Sequence, residues 1–171
     1  MLQAINEGEQ MRNTIDGLIY FLKTCNGVIH SQTEGLTMAD SLIPPPFGGN
    51  CLNWVLGHIL THRDSRLFLL GSHLELNEQE TSLYQRGSAP LGPESKPLEL
   101  RNLLNLLDHS VREVETSLVN LHYEELAQQV TYAGRLAPLG DTLAFLQWHE
   151  TYHVGQLELL RNLAGKNDKI I

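Results

Sequence analysis

His149 and His153 stand four residues apart in the stretch Leu146-Gln147-Trp148-His149-Glu150-Thr151-Tyr152-His153. In an α-helix that spacing stacks the two imidazoles one turn above the other. Leu146, Leu157, Leu160 and Ala164 extend the same face, so both rings fall in an apolar stripe that offers their nitrogens no partner. Leaving a buried polar group unpaired costs about 1–3 kcal/mol. A divalent metal shared by the two rings removes that cost, because neutral imidazole is a common metal ligand and an i, i+4 pair suits chelation. The plainer alternative is a pair of core histidines bonded to side chains or water.

A second segment offers a third donor. Cys51, Val55, His58 and His62 form one stripe, with Leu52, Leu56 and Ile59 alongside. His58 ranks ahead of His62, because Leu56 and Ile59 bracket it while His62 adjoins Arg63 and Asp64. His62 is expected beside the ligands or facing solvent. Three imidazoles leave at least one coordination position open, as catalytic rather than structural metal sites do. They suit Zn, Ni, Fe or Mn without naming one. His30, His73 and His122 lie at segment ends or in loops, and His109 sits off an apolar stripe beside Asp108; all four are expected at the surface. Trp54, Trp148 and Tyr152 are candidates for a pocket mouth, or for plain core or interface. Gln156, one turn beyond His153, is a candidate to hydrogen-bond substrate or a metal ligand, or to pack against a neighbouring helix.

Residues 149–153 also spell HExxH, the signature of zinc peptidases in which the glutamate is the general base. The extended form of that signature needs Gly at 156 and His at 159, where this chain has Gln156 and Leu159. Little chain follows His153 to supply another ligand, and at most a hairpin is available to bind a peptide as an added strand. Peptidase activity is therefore disfavoured. Glu150 is expected on the solvent side of its helix, with support of a ligand as its next role. As the base of a metal-dependent hydrolase it would have to face the metal, yet one residue after His149 it is turned by about 100°.

Four elements must position these groups. Met11, Ile15, Leu18, Leu22, Cys25 and Ile29 step at three and four residues, which predicts an amphipathic helix from about Leu2 to Ser31. Pro44-Pro45-Pro46 and Gly48-Gly49 break the chain. A second helix is expected from an Asn50 cap to about Leu70, stopped by Gly71. Residues 72–96 lose the periodicity and read as a long surface connection. Ser95-Lys96-Pro97 resembles a helix start, and the leucine and valine stripe from Leu100 to Leu121 is the third helix. Val130-Thr131-Tyr132 and Gly134 suit a short extended excursion or a hairpin. Asp141 is expected to cap a fourth helix, Thr142 to Ala164, with Gly165 at its end. An all-α antiparallel four-helix bundle, in one domain over residues 1–171, is the simplest arrangement covering four such stripes.

Composition narrows the function. With 12 Lys and Arg against 20 Asp and Glu, the net charge is −8, which disfavours nucleic acid. No apolar run approaches the roughly 18 residues of a membrane span. The N-terminus lacks the basic and apolar regions of a signal peptide. Two cysteines, Cys25 and Cys51, are too few for a disulfide framework, so two reduced core thiols in a cytoplasmic protein are expected.

Asn53-Trp54-Val55-Leu56-Gly57-His58-Ile59 and His149 through Gly155-Gln156 with Leu160-Arg161 resemble motifs of the DinB/YfiT-like metal-dependent bundle family. The resemblance spans most of the chain, although residues 72–140 match only in general layout. It implies a bundle of up-down-down-up course, with long connections after helices 1 and 2. It also implies a divalent metal held by His58, His149 and His153. Characterised members of that family include transferases and isomerases that use low-molecular-weight thiols, and dimers are common. The resemblance thus implies a metal-dependent enzyme passing a small thiol to an electrophile, in a homodimer. Metal-dependent hydrolysis and a non-catalytic, metal-binding stress-response role are the rivals. The acidic charge argues against DNA as a ligand, whatever the family name suggests.

Overall fold

The computed structural model describes residues 7–92 and 94–168. The chain is mostly helical, with one small hairpin. In order, the elements are α1 (Glu7–Thr33), α2 (Met38–Ser41), α3 (Leu52–Leu69), α4 (Glu78–Ser82), α5 (Leu100–Val119), α6 (Tyr123–Leu126), β1 (Gln129–Tyr132), β2 (Arg135–Pro138), α7 (Leu139–Val154) and α8 (Leu157–Leu163). The long helices pack in a ring: α1 touches α5 and α7, and α3 touches the same two. Their inward leucines and isoleucines, Leu22 and Ile29, Leu56 and Ile59, Leu103 and Leu107, and Leu143, share one core. Burying each contributes about 1.5–3 kcal/mol. Among the described residues, no helix is long and apolar enough to cross a membrane.

Polar pairs fix how the helices face one another. Between α1 and α5, Lys23 reaches Glu115 at 2.6 Å and His30 reaches Asp108 at 2.6 Å. Between α3 and α5, Arg63 donates to the Leu107 carbonyl at 2.9 Å and to the Ser110 hydroxyl at 3.2 Å. Between α1 and α7, the Gln147 amide donates to the Cys25 sulfur at 3.6 Å.

Several boundaries differ from those expected. Asn50 does not cap α3; Cys51 occupies that position without a side-chain hydrogen bond. The third long helix starts at Leu100 rather than near Ser95. Asp141 lies inside the first turn of α7, which begins at Leu139 directly after the hairpin. Leu139 N–H also donates to the Gln128 carbonyl at 2.8 Å, so the hairpin closes onto the helix start. The expected single fourth helix is broken at Gly155-Gln156 into α7 and α8. Gly71 and Gly165 do end their helices in the left-handed conformation, at φ 80° and 74°. The start of the first helix, at Leu2, lies outside the described residues. The 72–96 connection is not featureless: Asn77 caps α4, accepting from Gln79 N–H at 2.9 Å. The hairpin pairs Gln129 with Pro138 through Tyr132 with Arg135. Its two-residue turn puts Ala133 (φ 49°) and Gly134 (φ 77°) in the left-handed region, the geometry that matches strand twist.

Candidate metal centre

α3 and α7 bring His58, His149 and His153 together, each offering a ring nitrogen within 4.8 Å of the other two. His58 is buried, and its Nδ1–H donates to the Tyr84 carbonyl at 2.7 Å. A carbonyl only accepts, so Nδ1 holds the proton and Nε2 keeps its lone pair. His153 has the same arrangement, with Nδ1 against Gln156 Oε1 at 2.8 Å. Its Nε2 stands 3.1 Å from Nε2 of His149, while Nδ1 of His149 is buried without a hydrogen-bond partner. Burial depresses the basicity of all three rings, and His149 is pushed down to about 4, with His153 and His58 adding to the effect. Neutral rings, with the lone pairs of His58 and His153 turned inward and His149 beside them, are the kind of donor set that a divalent transition metal requires. The residues therefore fit such an ion.

Tyr84 makes this geometry possible. Its ring lies against Gly57, where a Cβ would overlap it. Its hydroxyl donates to Asn53 Oδ1 at 3.1 Å and accepts from Leu98 N–H at 2.8 Å. Trp54 stacks on His58, with centroids 4.6 Å apart and planes at 19°. Its indole N–H is held by Ser88 Oγ at 2.9 Å.

Two cavities of about 420 and 400 Å³ flank the histidines. The first runs over His58, His62 and His149 to Ser65 and Tyr132. The second runs over His58, His149 and His153 to Trp54, Tyr152 and Gln156. Thus Trp54, Tyr152 and Gln156 border the histidines. Trp148 lines neither cavity; it is exposed and stacks against Tyr152.

Residues 23–157 match the family profile of the DinB superfamily. The chain belongs to the DinB superfamily. The crystal structure of a conserved protein from Enterococcus faecalis is similar in fold, with a TM-score of 0.69 and 17% identity over 88% of this chain and 97% of that one. No curated protein matches the sequence.

Within this DinB-superfamily chain, His62 stands beside the three grouped histidines, its ring 4.1 Å from that of His149 and 4.5 Å from that of His58. Its Nδ1 is 2.8 Å from the Tyr132 hydroxyl. Burial, then the neighbouring His149, pushes its pKa down to about 3. The other histidines, His30, His73, His109 and His122, are exposed as expected.

Glu150 corrects the sequence-based expectation. It does not face solvent: it is 2% exposed. One carboxylate oxygen takes Arg63 at 2.6 Å and the other takes Arg66 at 3.3 Å. The arginines themselves are 0% and 3% exposed, and Arg63 spends its remaining donors on Asn26, Leu107 and Ser110. The glutamate of the HExxH string is therefore the centre of a buried ion network. Arg63, in sequence a polar neighbour of His62, is wholly internal. Both cysteines are buried and unbridged, as expected, and burial raises both thiol pKa values. Tyr84 was missed because it lies in an aperiodic segment; its one signal was a large aromatic in an otherwise polar connection.

Proposed function

We propose that this protein is a metal-dependent enzyme transferring a small thiol to an electrophile, with His58, His149 and His153 as the metal ligands. The observation that carries it is the convergence of three neutral imidazoles at the meeting point of two cavities. When bound, a divalent ion supplies Lewis acidity that favours deprotonation of a coordinating thiol or water near neutral pH. The chain's own residues do the rest. The Tyr84 carbonyl and Gln156 Oε1 hold the Nδ1 protons of His58 and His153, fixing the tautomer of each. Trp54 keeps the His58 ring from turning. Two cavities give two reactants separate approaches to one point, which suits group transfer better than hydrolysis. Hydrolysis with Glu150 as base is disfavoured, because both of its carboxylate oxygens are committed to buried arginines.

The same reading includes a cytoplasmic homodimer and an up-down-down-up course for α1, α3, α5 and α7. The course is supported by the order of their contacts. Residues 23 and 30 of α1 meet 115 and 108 of α5, whereas residues 53 and 63 of α3 meet 98, just before α5, and 107 within it. Cys25 of α1 meets Gln147 of α7, and Gln32 meets Arg161 of α8.

The test is elemental analysis of the purified protein after loading with Zn, Ni, Mn or Fe, alongside thiol conjugation to a chromogenic aryl halide. About one ion per chain is expected, largely lost in His58→Ala, His149→Ala or His153→Ala. Absence of metal in the wild type overturns the site. Loss in His62→Ala with retention in His58→Ala overturns the ligand choice. Metal without conjugation, but with ester or amide cleavage, favours the hydrolase. Metal with neither activity favours the non-catalytic, stress-response role.

A further inference from the structure

Arg86 belongs to no motif, yet it borders both cavities, together with His58 and His149. Among the described residues it is the only arginine or lysine side chain lining either one. Among the described residues its guanidinium makes no hydrogen bond or ion pair, though its charge is felt at His149. The segment carrying it is firmly held. Tyr84, two residues earlier, is buried and bonded to His58, Asn53 and Leu98. Ser88, two residues later, accepts from Trp54, and its N–H donates to the Gln85 carbonyl at 3.0 Å. A solvent-exposed charge with no hydrogen bond or ion pair among the described residues is thus carried between two anchors that also set the histidine geometry.

The cavities differ in chemistry. The first is walled by Thr61, Asp64, Ser65, Thr81, Gln85 and the Tyr132 end of the hairpin. Asp64 is its one carboxylate, and its Oδ1 already accepts from Leu74 N–H at 2.6 Å. The second has Phe47, Trp54, Val55, Tyr152, Leu159 and Leu160 in its wall. The first, which also holds Phe145, is the more polar of the two, and the second, which also holds Asn50 and Gln156, the more apolar. The more hydrophilic reactant suits the first, with Arg86 at the boundary.

We infer that Arg86 docks an anionic group, a carboxylate or its equivalent, of the thiol reactant, which lies in the polar cavity while the apolar cavity takes the body of the electrophile. The inference rests on the thiol-transfer reading and adds the charge class of the thiol. A planar guanidinium fork matches a carboxylate in two parallel hydrogen bonds, which a neutral thiol cannot accept.

The experiment compares N-acetylcysteine with its amide, which has the same thiol but no carboxylate, by calorimetric titration into metal-loaded protein. Wild type is expected to bind the acid about five- to tenfold more tightly than the amide, as a partly solvated charge-assisted pair allows. In Arg86→Gln the preference falls to less than about twofold, with amide affinity and metal content unchanged, and Arg86→Lys restores part of it. Equal binding of acid and amide by wild type overturns the inference and leaves the thiol reading standing. So does a preference that survives Arg86→Gln. If metal-loaded wild type binds neither compound, the thiol reading falls and this inference with it.

Discussion

The helices α3 and α7 each carry two polar clusters, and the clusters have opposite chemistry. On one side, Arg63 and Arg66 of α3 grip Glu150 of α7, with the Arg63 guanidinium and both carboxylate oxygens bonded inside the protein. On the other, His58 of α3 faces His149 and His153 of α7, the Nδ1 atoms of His58 and His153 held by Tyr84 and Gln156, and ring nitrogens of all three converging with a cavity on either flank. His149 and Glu150 are chain neighbours, yet one belongs to each cluster. Polar residues in a helical core thus serve two ends: a closed network specifies the packing, while an open one awaits a ligand. Substitutions in the first should be felt in stability, and in the second in binding.

The largest effect expected is that of Glu150→Ala. It strands two arginine charges in a site where all three partners are at most 3% exposed. Removing one member of a buried ion network costs about 3–5 kcal/mol. Urea unfolding of the metal-free protein should show that loss. A catalytic glutamate of an HExxH site would instead leave stability nearly intact and abolish activity, so a small shift in the urea midpoint would reverse the assignment of Glu150 to the closed cluster.

Next comes Gly57→Ala. A methyl at this position collides with the Tyr84 ring, and overpacking of a core costs about 1–3 kcal/mol. Unlike Glu150→Ala, it should also weaken metal binding, because Tyr84 carries the carbonyl that orients His58. Parallel measurements of unfolding and metal affinity distinguish this coupled loss from the purely structural one.

The histidine triad was legible in the sequence because two signals coincide: an i, i+4 repeat and its placement among leucines. The closed network was not. Arg63 and Glu150 are 87 residues apart, and nothing local marks one as the partner of the other. α7 also defeats amphipathic reasoning, since Gln147 and Glu150 point inward while Phe145, Trp148 and Tyr152 are exposed. Polar letters on such a helix suggest solvent when the fold has supplied arginines. The four long helices were visible from their stripes. Their ends were less so, because α7 starts where the hairpin closes and stops at Gly155, and both are decided by tertiary contacts. Arg86 and Tyr84 lay in a segment without periodicity, so only the fold gives them meaning.

Acid should separate the clusters through the histidines. Burial lowers the folded-state pKa of His149 to about 4 and of His62 to about 3, from an ordinary 6.5. Above pH 6.5 both states are neutral and the groups contribute nothing to pH dependence. Below it the unfolded chain binds protons that the folded chain refuses, so stability of the metal-free protein falls as the pH drops from 6.5 toward about 4 for His149 and about 3 for His62. Bound metal should persist through most of that interval and be released only as the pH nears the folded-state pKa of His149, about 4, because its ligands must be deprotonated. Denaturation of the metal-free protein at several pH values checks the sign; a rise in stability across that range would contradict it.

The smallest effects divide the open cluster itself. Gln156 and Tyr132 hold the Nδ1 atoms of His153 and His62 at the same 2.8 Å, but only His153 belongs to the convergent three. Outer partners that orient a ligating histidine are worth about 10–100-fold in metal affinity. Gln156→Ala should therefore weaken metal binding by about tenfold at the low end of that range. Tyr132→Phe should leave it unchanged, because the ring it frees is not a ligand. Competition with a chromogenic chelator measures both. Equal losses would make His62 a fourth member of the metal set, and the division between ligand and neighbour would move one turn along α3.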